Sequence, residues 1–169
     1  MPDASPGACR NPHMPTSQGG ANILAPGQPM PTINNMHREF LGAWNRRDFE
    51  HMKTLLHPDY VYLAGDGKEA RGIEAGLQNA YIYAKAFPDS QIEIKQVYVL
   101  GDTAIAELIA RGTHAGDLMG IPPTGRSVEL VICNVMEIRD GKIHREREYM
   151  DRLTMLEQLG LAPSSAKAE

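Results

Sequence analysis

The hydrophobic pattern of this chain changes period once, near Phe87-Pro88-Asp89: apolar residues recur every three or four positions before that point and every second position after it. Before it, Thr32 can cap a first helix whose Met36, Phe40, Ala43 and Trp44 share a stripe, with His37, Arg38, Asn45 and Arg46 largely off it. Asp48 can cap a second, short helix that buries Met52, Leu55 and Leu56 and stops at His57-Pro58. Tyr60 to Leu63 reads as a short strand, and a helix from Ile73 places Leu77, Ala80, Tyr81 and Ala84 on one face. After the change, three runs read as strands: Ile92 to Leu100, Ala104 to His114 and Val128 to Ile138. Asp140-Gly141 then predicts a two-residue hairpin into a fourth run, Lys142 to Asp151.

Helices followed by a meander define an α+β class. The expected form is three N-terminal helices packed in the concave face of a curved, mostly antiparallel sheet, a cone-shaped α+β barrel. Such a cone encloses a concave apolar space, the ordinary place for a small-molecule site. Residues 1–31 hold seven Pro and four Gly without periodicity and are expected to be a disordered tail. The folded domain is expected over 32–161, with 162–169 a disordered C-terminus.

Charge narrows the function classes. Lys plus Arg is 17 against 21 Asp plus Glu, a net charge of −4, which argues against nucleic acid and against an electrostatic membrane anchor. No run approaches the roughly 20 apolar residues of a membrane span, and the start lacks a signal-peptide pattern, so a cytoplasmic location is expected. Cys9 and Cys133 form neither a disulfide framework nor a metal spacing. No phosphate loop, His/Cys metal constellation or nucleophile elbow is present in the sequence, so neither metal nor cofactor is expected.

Regular alternation sorts the last strand into Arg145, Arg147, Tyr149 and Asp151 on one face and His144, Glu146, Glu148 and Met150 on the other. The first set projects toward the cavity mouth in this reading, although the same spacing fits a surface ladder with an Arg147–Asp151 ion pair. The second set is expected to be solvated or at a subunit interface. His114 follows Leu108, Ala110 and Gly112 along one lane, where an imidazole can move protons near neutral pH or serve as a hydrogen-bonded structural group. Asn134, among Leu130, Ile132 and Met136, requires either a structural hydrogen bond or a ligand contact. Tyr60, Tyr62, Trp44 and Phe87 are the aromatic stock for a substrate pocket. Val131, Cys133 and Val135 on the outer face offer an apolar seam for a homodimer.

Several segments together resemble one family: Ala43-Trp44-Asn45 with Arg47-Asp48, Ala86-Phe87-Pro88-Asp89, Arg111 to Gly116, Ile121 to Arg126, Asp140 to Ile143, and Tyr149-Met150-Asp151 leading into Leu156 to Gly160. The chain resembles the SnoaL-like polyketide cyclases, or ester cyclases, over roughly residues 33 to 161. That resemblance implies a cystatin-like cone of the nuclear-transport-factor type. It implies ring closure by cofactor-free acid/base chemistry on an apolar or polycyclic small molecule. It carries the acid/base aspartate onto Asp151 and a pocket histidine onto His114. Many relatives carry an aromatic where this chain has Arg147, whose charge would keep Asp151 ionised and favour a base. Small-epoxide hydrolysis or a ketosteroid-isomerase-like reaction, motivated by Arg147, Tyr149 and Asp151, is the alternative chemistry. A non-catalytic binding or assembly module is the third reading.

Overall fold

A computed structural model describes residues 32–161; the expected tails 1–31 and 162–169, with Cys9, lie outside the described residues. Helix α1 (Ile33–Asn45) buries Met36, Phe40, Leu41, Ala43 and Trp44 as its stripe predicts, but it also buries His37 completely. Its last residue ties it to the sheet: the Asn45 side chain donates to the Ile92 carbonyl at 2.9 Å and accepts from the Ile92 amide at 2.8 Å. Helix α2 (Phe49–Leu55) is capped by Asp48, which accepts from the His51 amide at 3.0 Å.

Strand β1 (Leu56–Leu63) begins directly after α2, four residues earlier than the alternation suggests. It runs through Pro58, which lacks a ladder donor and therefore falls in the stretch where the pairing register slips, between Leu56 and Val61. A short strand β2 (Glu69–Arg71) and helix α3 (Ile73–Ala86) follow. The meander is β3 (Gln91–Leu100), β4 (Thr103–Thr113), β5 (Ser127–Arg139) and β6 (Lys142–Met150), and the described chain closes with helix α4 (Arg152–Gln158). Both β2 and α4 are too short to show a period of their own.

Sheet order is β2-β1-β6-β5-β4-β3, with β1 and β6 parallel and every other pair antiparallel. The sheet curves over the helices without closing, so β2 and β3 remain its edges. The core lies between them, with Phe40, Leu77, Leu108, Leu118 and Met136 all essentially inaccessible to solvent.

One local irregularity decides which side chains of β6 face this core. Asp140 and Gly141 both take positive φ, 52° and 73°, as the predicted two-residue hairpin requires, and Ile138 pairs with Ile143. The register then shifts so that Glu137 pairs with Arg145, leaving His144 as an extra residue. A one-residue slip exchanges the two faces of a strand. Glu146, Glu148 and Met150 therefore lie opposite Met136, Asn134 and Ile132 on the inner face, whereas Arg147 and Tyr149 lie opposite Val135 and Cys133 on the outer face.

Candidate active site

Between the helices and the sheet lies a cavity of about 110 Å³. Its walls are largely apolar: Phe40 and Trp44 from α1, Met52 from α2, Leu77 and Ala80 from α3, Phe87 from the turn after α3, and Val128, Leu130 and Ile132 from β5. Into this wall project two carboxyl groups from adjacent inward positions of β6, Glu146 and Glu148, with Tyr60 and Tyr62 of β1 and Asn79 and Tyr83 of α3 around them.

The two carboxyls have different surroundings. Glu146 is buried, accepts the Tyr60 hydroxyl hydrogen bond on Oε2, and accepts from Asn134 Nδ2 on Oε1 at 2.7 Å. Asn134 in turn accepts from His37, whose Nε2 lies 3.0 Å from Asn134 Oδ1. Since the amide nitrogen is committed to a carboxylate, its oxygen must take the histidine proton, which fixes the direction of the chain from His37 to Glu146. Burial raises the Glu146 carboxyl above the ordinary carboxylate range, while its two donors pull the other way. Burial first, and the neighbouring Glu146 charge second, push the Glu148 carboxyl up to about 7. Burial likewise pushes the hydroxyls of Tyr60 and Tyr62 up, with the glutamate charges adding to it, so both phenols stay protonated. The Tyr62 hydroxyl accepts from Asn79 Nδ2 at 3.0 Å, which leaves its own proton free to donate. Paired carboxyls whose surroundings separate their proton affinities are the usual means of assigning acid and base roles.

Several expected site residues occupy the cavity wall: Trp44, Tyr60, Tyr62 and Phe87. Asn134 is inside but stands behind Glu146, bonded on both sides, so it is a structural hydrogen-bonder. Four expectations are corrected. Asp151 is exposed and caps α4, accepting from the amides of Leu153 and Thr154 at 2.9 and 3.2 Å and from the Thr154 hydroxyl at 2.7 Å. Those bonds to Thr154 hold its carboxyl below the usual range. Strand β6 ends one residue before it, so alternation no longer governs where its side chain goes. Arg147 lies on the outer face and pairs with Glu137 at 2.6 Å, away from Asp151. Tyr149 is 50 % exposed on that same face. His114 is fully buried but is not in the cavity wall. Its Nδ1 accepts from the Thr124 amide at 3.2 Å, and its ring lies 5.2 Å from that of Phe87. It is a support for Phe87 and for the loop that runs to Thr124. The arrangement proposed for epoxide hydrolysis thus loses Arg147, Tyr149 and Asp151 together.

Sequence reasoning placed Glu146 and Glu148 on the solvent side and His37 off the apolar stripe. A signal for the first pair was present, because Ile143 and Met150, both apolar, cannot share a face on a regular strand. The signal for His37 was its spacing, three before Phe40, four before Leu41 and seven before Trp44 on α1.

Arg47 braces two of the cavity's wall residues, Trp44 and Phe87. Its backbone is left-handed, with φ at 61°, and its guanidinium lies 5.0 Å from the centre of the Trp44 ring. Its Nη2 lies within 2.8 to 3.1 Å of the carbonyls of Phe87, Pro88 and Ser90 and the Ser90 hydroxyl, which fixes the turn that carries Phe87.

A curved sheet over helices, with titratable carboxyls in an apolar cone, defines a small-molecule site of the nuclear-transport-factor fold class. The family model described as SnoaL-like polyketide cyclase matches residues 34–159. The chain belongs to that family. Nogalonic acid methyl ester cyclase of Streptomyces nogalater is 29 % identical over 71 % of this chain and 91 % of its own length. Aklanonic acid methyl ester cyclase AcmA of Streptomyces galilaeus is 27 % identical over 73 % of this chain and 87 % of its own. Among solved structures, IdmH of Streptomyces antibioticus is 31 % identical and superposes with a TM-score of 0.69, covering 77 % of this chain and 99 % of its own. No described helix is long and apolar enough to cross a membrane.

Proposed function

We propose that the protein is a cyclase of the polyketide type that closes a ring by acid/base catalysis at Glu148, with no cofactor in the reaction. The observation that carries this reading is a pair of carboxyls, Glu146 and Glu148, on adjacent inward positions of one strand in a largely apolar cavity wall, where burial and the neighbouring charge push Glu148 up to about 7. A group poised near 7 can both remove and return a proton at working pH. The names of the relatives supply the substrate class, a methyl ester of an acid such as aklanonic or nogalonic acid.

In the proposed reaction, ionised Glu148 takes a proton from a carbon flanked by carbonyls. That carbon then bonds to a ketone carbon of the same molecule, whose C=O becomes an alkoxide. Glu148 returns its proton to the alkoxide, so the product is an isomer of the substrate and nothing is consumed. The apolar wall keeps water from the enolate and holds the two reacting carbons near each other. The Tyr62 hydroxyl, with its free proton, is placed to share a hydrogen bond with the developing oxygen anion.

The test is direct: purified wild type and Glu148→Gln are offered aklanonic acid methyl ester and nogalonic acid methyl ester, with products followed by chromatography and mass spectrometry. Formation of a product of unchanged mass by wild type, lost in the variant, supports the assignment. Undiminished ring closure by the variant overturns it, and absence of conversion or binding with either ester removes the cyclase reading.

The remaining expectations belong to the same proposal. A second copy of the chain covers the outer face of β5 and β6, where Val131 is 74 % and Tyr149 50 % exposed and Cys133 lies opposite Tyr149. Light scattering that returns a dimer for wild type and a monomer for Val131→Asp supports it, and a monomeric wild type overturns it. A cytoplasmic location is part of the same reading, checked by fractionation.

A further inference from the structure

The buried chain His37–Asn134–Glu146 does work that the reaction above does not use. Glu146 is the more deeply buried of the two carboxyls, and it takes the two close hydrogen bonds, from the Tyr60 hydroxyl and from the Asn134 amide nitrogen. The Asn134 amide has two orientations, and they demand opposite charges of its neighbours. With Nδ2 toward Glu146 it stabilises a carboxylate and requires a proton on His37 Nε2. With the amide turned over, its oxygen would face the carboxyl and require that group to be protonated. The structure holds the first orientation, with His37 Nε2 3.0 Å from Asn134 Oδ1. The other ring nitrogen, Nδ1, is buried without a partner among the described residues, so no second bond holds the ring.

We propose that His37 is a positioning residue which, through Asn134, holds Glu146 as a hydrogen-bonded anion and thereby makes Glu148 the group that exchanges protons with the substrate. This rests on the reading of Glu148 as the acid/base group. Two like carboxyls side by side on one strand cannot both ionise freely, so whichever is better solvated by donors ionises first and leaves the last proton to the other. Asn134 also acts on Glu148, which it faces across the strand pair, but the close hydrogen bonds, from Tyr60 and from Asn134 Nδ2 at 2.7 Å, both fall on Glu146, and the direction of the Asn134 amide sets that asymmetry. Neutral His37 serves this role and a charged one does not need to form: burial lowers the proton affinity of the imidazole.

Other groups around the pair do not compete for the role. Strand β1 contributes Tyr60 and Tyr62, both protonated phenols, and α3 contributes Tyr83, also held protonated by burial. Helix α1 contributes His37 and α2 only Met52. From β4, Arg111 reaches the lining but is engaged with Glu93 and Glu129 at 3.0 and 2.6 Å. From α4, Arg152 is exposed and acts on Tyr83 rather than on the carboxyls.

The test is a carboxyl carbon-13 NMR titration of the full chain without substrate, with resonances assigned from Glu146→Gln and Glu148→Gln. Wild type is expected to titrate Glu146 first and Glu148 last. In Asn134→Leu, and to a smaller extent in His37→Phe, the Glu146 midpoint rises by about one pH unit and the gap between the two carboxyls narrows or reverses. His37→Gln, which keeps a side-chain N–H donor, restores the wild-type order. Unchanged midpoints in folded Asn134→Leu and His37→Phe overturn the proposal. Should those variants not fold, nitrogen-15 spectra of wild-type His37 decide it: a neutral Nε2–H tautomer at pH 7 supports the proposal, and an Nδ1–H tautomer or an imidazolium overturns it. Because no substrate is present, this result is independent of the cyclisation assay on Glu148→Gln, and each reading can fail without the other.

Discussion

Ile143 and Met150 both face the core, although they stand seven positions apart on one strand and a regular strand would turn them to opposite sides. The extra residue between them, His144, reconciles the two by shifting the register after Ile143. Every side chain of β6 beyond that point has its face set by this single residue.

Removing His144 therefore differs from mutating it. His144→Ala loses an edge-to-face contact with the His57 ring, 5.3 Å away, and is expected to change stability by less than about 1 kcal/mol. Deleting His144 makes the Ile138–Ile143 and Glu137–Arg145 pairs consecutive, so the bulge closes into a regular ladder in which Glu146, Glu148 and Met150 keep the inner face, and the deletion is expected to fold. Circular dichroism and thermal melting of the two variants check this, and a deletion that does not fold would show that His144 does more than set the parity of the strand.

Glu148→Gln is expected to lower the turnover of ring closure by about 10² to 10⁴ while leaving the fold intact. In wild type the rate should rise with pH and reach half its maximum near 7, since the base must be ionised. A flat profile from pH 5 to 9 would exclude Glu148 as that base.

The same carboxyl links stability to pH. Its affinity is raised from the ordinary 4.5 to about 7 in the folded chain, so folded protein holds a proton that unfolded protein has released across that window. Stability should fall as pH rises through it and level off above. Glu148→Gln removes this dependence and should be more stable than wild type by roughly 2–3 kcal/mol at pH 8, with little difference at pH 4. Urea unfolding at the two pH values measures the difference directly.

Asp151→Ala tests the reassigned aspartate. Its side chain closes the N-terminus of α4, so thermal stability should drop by a few degrees while turnover stays within a few-fold of wild type. A loss of turnover comparable to that of Glu148→Gln would return Asp151 to the active site.

Gly76 is where α3 passes closest to Tyr60: a Cβ there would come within 2.3 Å of Tyr60 Cε1 and 2.7 Å of Cδ1. Because the ring is buried and its hydroxyl is bonded to Glu146, it has nowhere to swing. Gly76→Ala is expected to cost about 1–3 kcal/mol and to reduce turnover by displacing the phenol from Glu146. A melting curve and an activity assay on the same preparation check both effects.

How much of this was legible in the sequence depends on whether the signal was local. The order of helices and strands, the Asp48 cap and the Asp140-Gly141 turn follow from periodicity and turn chemistry carried within a few residues. The aromatic wall residues Trp44, Tyr60, Tyr62 and Phe87 were legible because apolar side chains at core spacing have few alternatives. The carboxyls were not, because alternation counted from Ile143 carries the wrong parity past His144. His37 was misplaced because the stripe was drawn without Leu41; with Leu41 included the buried face of α1 takes in His37, and only its partner Asn134, 97 residues away, lies beyond what a helical stripe can show. Asp151 was misplaced because β6 stops one residue short of it and a helix start takes over its side chain.

The place of β6 in the sheet has a consequence for the growing chain. It is the last strand made, yet it lies between β1, among the first, and β5. Until Lys142 to Met150 have left the ribosome, β1 and β2 have no bond to the rest of the sheet, and the meander of β3, β4 and β5 waits with an open flank. The strand that joins the two halves is also the one that bears both carboxyls, so the nascent protein acquires its sheet and its chemistry in the same event.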